Sequence, residues 1–126
     1  MNDADELRLQ RADAVFALAP VIPVITIDDL DDAVPLARTL VDNGLPVLEV
    51  TLRTPVALDA IERIASQVPG ACVGAGTVLD LVGYKASIRA GARFAISPGV
   101  TETLYDAAQY GDIPLIPGIA TAGELM

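Results

Sequence analysis

Between Val47 and Arg53 the residues alternate in type: Glu49, Thr51 and Arg53 fall on every second position, with Leu48, Val50 and Leu52 between them. An extended chain turns successive side chains to opposite faces. This spacing therefore lines up Val47, an acid, a hydroxyl and a guanidinium on one face and an apolar set on the other. A strand of a parallel sheet is normally apolar on both sides, so the polar row needs a reason. If the apolar set packs against helices, Glu49 points into a barrel or crevice. Burial there raises a carboxyl pKa toward the range of a general acid/base, while Arg53 opposes the shift. Arg53, at the carboxyl end, offers a two-pronged fork for a substrate carboxylate or phosphate. The same spacing fits an internal Glu49–Arg53 ion pair that only fills a polar layer.

Val73-Gly74-Ala75-Gly76-Thr77 carries two glycines and a hydroxyl at a second strand end. A dinucleotide fingerprint would need a third glycine where Leu79 stands, so no cofactor is implied. The glycines suit a close approach of a ligand or neighbouring backbone, with Thr77 placed to hydrogen-bond it; a purely structural turn fits as well. Ser97-Pro98-Gly99 and Ile116-Pro117-Gly118 taken singly are turn chemistry. Together, Glu49, Thr51, Arg53, Gly76, Thr77, Ser97 and Pro98 fall at or near strand carboxyl ends, the rim where α/β folds bind ligands. Lys85, the only lysine, lies inside a helical pattern away from that rim and reads as a solvated charge. Asp28, Asp29, Asp31 and Asp32 stand at a helix start, where they meet the positive end of the dipole rather than a metal.

Composition removes other chemistries. The 126 residues hold 8 basic and 17 acidic side chains, a net charge of −9, no His and one cysteine, Cys72. The usual zinc and copper ligands, an intrachain disulfide and histidine-based catalysis are all missing. An acidic surface disfavours nucleic acid and anionic membranes. No apolar run reaches the roughly 18–20 residues of a membrane span, and the start is acidic where a secretory signal is basic, so a cytoplasmic protein is expected.

The elements that must position these residues recur along the chain. An amphipathic helix is expected over Asp3–Leu18. Strands are expected at Pro20–Thr26, Val47–Leu52, Cys72–Ala75, Phe94–Ser97 and Ile113–Ile116. Between them lie helical patterns: one capped by Asp28 or Asp29 and stopped by Gly44, and one capped by Thr54 with Pro55 in its first turn. A third runs over Asp80–Ala90 to Gly91, and a fourth over Thr101–Tyr110 to Gly111. A strand every roughly 20–27 residues is the pattern of repeated βα units and a parallel sheet. Thr121 and Glu124 form a capping box that announces another helix just before Met126, so the sequence reads as stopping mid-architecture. Five βα units also match a flavodoxin-like open sheet.

The strings PVIPVI, VLEVTLRT, VGAGTVL, FAISPGVTE and IPLIPGIATAGELM, in this order and spacing, resemble the 2-keto-3-deoxy-6-phosphogluconate (KDPG) / 4-hydroxy-2-oxoglutarate (KHG) aldolases from about Val15 to Met126. The resemblance implies an α/β chain of the (β/α)₈ TIM barrel family. Residues 1–126 would be one partial barrel domain, with an N-terminal helix and about five βα units, ending before the sixth strand. It implies cleavage of KDPG to pyruvate and glyceraldehyde 3-phosphate through a lysine Schiff base, in a homotrimer, without metal or cofactor. Glu49 matches the family's general acid/base. Arg53 and Thr77 match the groups that hold the pyruvyl carboxylate, and Pro98 and Phe94 lie on the matching segment near the site. Arg53 also fits the phosphogluconate branch better than the phosphogalactonate one. The family's Schiff-base lysine sits on the sixth strand and its phosphate loops follow the seventh and eighth. Lys85 matches no catalytic position, so the chain alone is expected to be inactive or nearly so. A non-catalytic βα domain that assembles with other chains and binds a small carboxylate is the competing reading.

Overall fold

The computed structural model describes residues 2–126. Five strands, β1 (Val24–Ile25), β2 (Val47–Thr51), β3 (Cys72–Gly76), β4 (Ala95–Ser97) and β5 (Leu115–Pro117), form one parallel sheet in the order β1-β2-β3-β4-β5. Parallel neighbours need a crossover between them, supplied by α2 (Ala33–Asp42), α3 (Ala57–Gln67), α4 (Leu81–Arg89) and α5 (Glu102–Gln109). A helix α1 (Asp3–Phe16) precedes the sheet and a single turn, α6 (Ala122–Leu125), follows it. The strictly sequential order is that of an arc of a (β/α)₈ barrel. A flavodoxin-like sheet, one of the two expectations for five units, runs 2-1-3-4-5 instead, and the strand order overturns it.

Local chemistry sets most boundaries. Asn2 caps α1, Asp80 caps α4 and Thr101 caps α5, each side chain accepting a backbone N–H of the first turn. Gly44 (φ +87°) and Gly91 (φ +96°) end α2 and α4 in the left-handed conformation. Two expectations fail here. Thr54 does not cap α3; its hydroxyl donates to the Ile27 carbonyl at 2.6 Å and ties the loop after β2 to the loop after β1. The first strand is two residues long rather than seven, because Pro20 and Pro23 have no N–H to give a ladder. The Pro23 carbonyl still accepts from Glu49 N at 3.0 Å.

The two faces of the sheet pack differently. Leu48, Val50, Val73 and Ala75 turn toward the helices and join Ala37, Ile61, Ile64, Tyr84 and Leu104 in the larger core. On the opposite face Val47 and Cys72, which begin β2 and β3, and Phe94, the residue before β4, pack against Val15 of α1. Helix α1 thus closes the amino-terminal end, and Arg11 pins it there by donating to the Gly111 and Asp112 carbonyls at 3.2 Å. Asp29 accepts from Asp31 N at 2.9 Å, and Asp31 pairs with Arg63 at 3.3 Å, so this acidic run serves a helix start as expected. No helix among the described residues is long and apolar enough to cross a membrane.

Candidate active site

Strand β2 is buried along its whole length, and its five residues pair with all five of β3 in the register Val47–Cys72 to Thr51–Gly76. Glu49 therefore sits in the middle of the most completely paired ladder of the sheet, level with Gly74 and one layer above Val47 and Cys72. It is 7% exposed. Burial pushes its carboxyl above the usual range, and the Arg53 guanidinium partly offsets this.

The carboxyl has somewhere to go because of β3. A Cβ placed on Gly76 would stand 1.9 Å from Glu49 Oε1, and one placed on Gly74 would stand 2.3 Å from the Phe94 ring. Both glycines lie on the face of the sheet that carries Glu49, and their missing side chains are the space that the carboxyl and the ring occupy. Thr51, one layer further up, is buried; its hydroxyl donates to the Ile25 carbonyl and lies 3.2 Å from the Thr26 hydroxyl.

At the rim the groups are more open. Arg53 is exposed and its Nε donates to Thr77 Oγ1 at 3.2 Å. The Nη groups of Arg53 have no hydrogen-bond partner among the described residues. The internal Glu49–Arg53 ion pair is not formed, so that alternative falls. Thr77 has φ +56°, a left-handed conformation that a β-branched residue adopts only under strain. That strained turn points the hydroxyl at Arg53. Pro98 follows β4 at the same rim and is exposed; its carbonyl lies 2.5 Å from where a Cβ on Gly118 would stand.

Ser97 departs from the rim set. Its neighbours Ile96 and Ile116 pack on the Glu49 side of the sheet, whereas Ala95 packs among the helices, so alternation turns Ser97 toward the helices. It is buried there, and its hydroxyl has no partner among the described residues. Lys85 is exposed on α4, outside the sheet, in a groove with Tyr84, Ile88 and Tyr110. A cleft of about 460 Å³ lined by Arg11, Val15, Cys72, Arg93 and Pro114 lies at the amino-terminal end, away from these groups. The structure puts Arg53, Thr77 and Pro98 at the rim and Glu49 deeper, in the middle of β2, whereas sequence reasoning set all four at or near the strand ends and gave Gly74 and Gly76 no side-chain partner. Their signal was two small residues in a strand beside one carrying a buried acid.

A buried acid, an arginine with unused donors and a strained threonine at the carboxyl ends of parallel strands fit proton transfer beside a bound carboxylate. Residues 12–126 match the family described as KDPG and KHG aldolase. The chain belongs to that family. It is 56% identical over 115 residues to the KHG/KDPG aldolase of Escherichia coli, covering 91% of this chain and 54% of that protein. Among solved structures, the 2-keto-3-deoxy-6-phosphogluconate aldolase of Zymomonas mobilis superposes with a TM-score of 0.87 at 50% identity, over 90% of this chain and 55% of that one. The KDPG aldolase of Legionella pneumophila, solved with pyruvate captured as a covalent carbinolamine, superposes with a TM-score of 0.86 at 55% identity, again over 90% and 55%. The chain therefore spans about half the length of the relatives it matches.

Proposed function

We infer that this chain provides the proton-transfer and carboxylate-binding side of a class I aldolase. The aldolase cleaves KDPG to pyruvate and glyceraldehyde 3-phosphate, with 4-hydroxy-2-oxoglutarate as a second substrate. The observation that carries this reading is the buried Glu49 carboxyl, seated over Gly76 beneath the Arg53–Thr77 pair. Glu49 moves protons to and from the oxygen atoms of the carbinolamine and aldol steps. Arg53 and Thr77 hold the pyruvyl carboxylate through charge-assisted hydrogen bonds, and Pro98 shapes the wall beside it. No metal or cofactor takes part.

The amine of the Schiff base is not Lys85, which faces outward on α4. Without an amine the electron sink for carbon–carbon cleavage is missing, and proton transfer alone supplies only about 10²–10⁴-fold. The 126-residue chain by itself is then inactive or nearly so, and the active enzyme is a cytoplasmic homotrimer.

The test is to treat the protein from its native source with pyruvate and borohydride and weigh it intact. A chain longer than 13.1 kDa with one reduced pyruvyl adduct supports the reading. An adduct on the 13.1 kDa chain, mapped to Lys85 rather than to the amino terminus by peptide mass, would make Lys85 the amine and overturn the assignment. A 13.1 kDa chain without adduct that still binds pyruvate in calorimetry, and loses it in Arg53→Ala, would instead favour a non-catalytic carboxylate-binding domain.

A further inference from the structure

We propose that Gly76 is a positioning residue for Glu49: its missing side chain is the seat that holds the Glu49 carboxyl in the buried face, below the Arg53–Thr77 pair. The inference rests on the proton-transfer role given to Glu49. Three observations carry it. A Cβ on Gly76 would meet Oε1, Cδ and Cγ of Glu49 at 1.9, 2.7 and 2.8 Å, so these two carbons and one carboxyl oxygen all run through that space. Gly76 ends a fully paired five-residue ladder, so the backbone beneath the carboxyl cannot give way cheaply. Gly76 does not have a left-handed φ, whereas Gly44, Gly70 and Gly91 do. The glycine is thus needed for room and not for backbone conformation.

The floor of the seat is built the same way one layer down. Phe94 fills the space over Gly74, at 2.3 Å from where a Cβ would stand, and gives the glutamate an apolar wall. The residues facing Glu49 from neighbouring strands are Val24 on β1 and Gly74 on β3, with Phe94 from the residue before β4. None is titratable. Arg53, on the segment after β2, is the charged group that acts on the carboxyl.

A methyl on Gly76 must therefore turn the Glu49 side chain out of its seat and into water, while leaving the backbone free to keep its conformation. Two measurements on the chain test this. The first is the titration of the Glu49 carboxyl carbon by NMR in the native chain and in Gly76→Ala. The expected result is a native titration above the usual glutamate range that returns to that range in the variant. The second is a thermal double-mutant cycle. Gly76→Ala should lower the melting temperature by about 5 °C or more in the native background. It should lower it by less than about 2 °C when Glu49→Ala has already emptied the seat.

An unchanged Glu49 titration in Gly76→Ala would overturn the proposal. So would an equal melting loss in both backgrounds, since the glycine would then serve the backbone alone. If Gly76→Ala does not fold, the folding of Gly76→Ala/Glu49→Ala decides the matter: recovery of folding in the double variant supports the seat, and failure overturns it. Failure of the borohydride experiment would remove the aldolase reading while leaving both measurements here intact, so the two are separable.

Discussion

The centre of the sheet and its edges are built to different standards. Strands β2 and β3 pair over five residues each and every one of those residues is buried. Strand β1 has two residues, and Val24 on it is 66% exposed; β5 has three, none of them buried. The acid sits on the first pair, and the groups that would meet a ligand, Arg53, Thr77 and Pro98, sit in the loops at the rim. A carboxyl whose pKa must be held away from its ordinary value needs neighbours that do not move. A substrate-binding arginine needs donors left over. The division between a rigid centre and an open rim answers both needs.

The largest effect should come from the centre. Phe94 is fully buried between Val15, Val47 and Cys72, and its ring fills the space over Gly74. Phe94→Ala should cost about 3–5 kcal/mol in urea unfolding, whereas Val24→Ala at the edge should cost less than about 1 kcal/mol. Similar losses at the two sites would mean that the edge is covered as well as the centre, and the comparison would break.

The next effect belongs to the rim. Arg53→Ala should weaken pyruvate binding by about tenfold or more, since it removes a charge-assisted pair, while leaving stability within about 0.5 kcal/mol. Calorimetric titration with pyruvate and a urea melt read the two numbers independently. Loss of stability comparable to the loss of binding would make Arg53 part of the scaffold instead.

Thr77 separates binding from stability more sharply. Its left-handed backbone is strained, and glycine accepts that conformation without a Cβ clash. Thr77→Gly should therefore be neutral to stabilising by about 1 kcal/mol and should weaken pyruvate binding, because Arg53 loses its partner. A variant that is less stable by that amount would show that the Arg53 bond, not function, explains the strain.

Much of this was legible because apolar runs and left-handed glycines mark βα units. The sheet and its parallel character followed from strands recurring every roughly 20–27 residues, the polar face from alternation along Val47–Arg53, and Gly44 and Gly91 ended their helices as expected. What failed were features that depend on who donates to whom. An apolar run through Pro20 and Pro23 has strand periodicity but no donors, so β1 shrank to two residues. Thr54 had a cap's position but found the Ile27 carbonyl instead. Ser97 was placed at the rim by position along the chain, yet the pleat turned it to the helices. The seat over Gly76 could not be seen at all, because it needs the register of β2 against β3 and not the spacing within either.

The smallest effect is a slope, and it sets the two regions against each other on one side chain. Burial in the centre raises the Glu49 pKa and Arg53 at the rim lowers it, so the net effect is a difference between opposing causes, with burial the larger. Where a folded carboxyl has a pKa above its unfolded value, the folded state holds its proton longer. At pH below the unfolded value both states are protonated and the group costs nothing. As pH rises through the folded pKa the buried carboxylate must form, and stability is lost. Glu49→Gln keeps the shape and removes the ionisation, so the variant should melt above the native chain by a margin that widens from about pH 4 to pH 8. Every other acidic group is common to both proteins and cancels in the difference. A margin that narrows as pH rises would mean that Arg53 stabilises the carboxylate more than burial penalises it. The rim would then govern the centre, and Glu49 would titrate below the usual range as an ordinary anion.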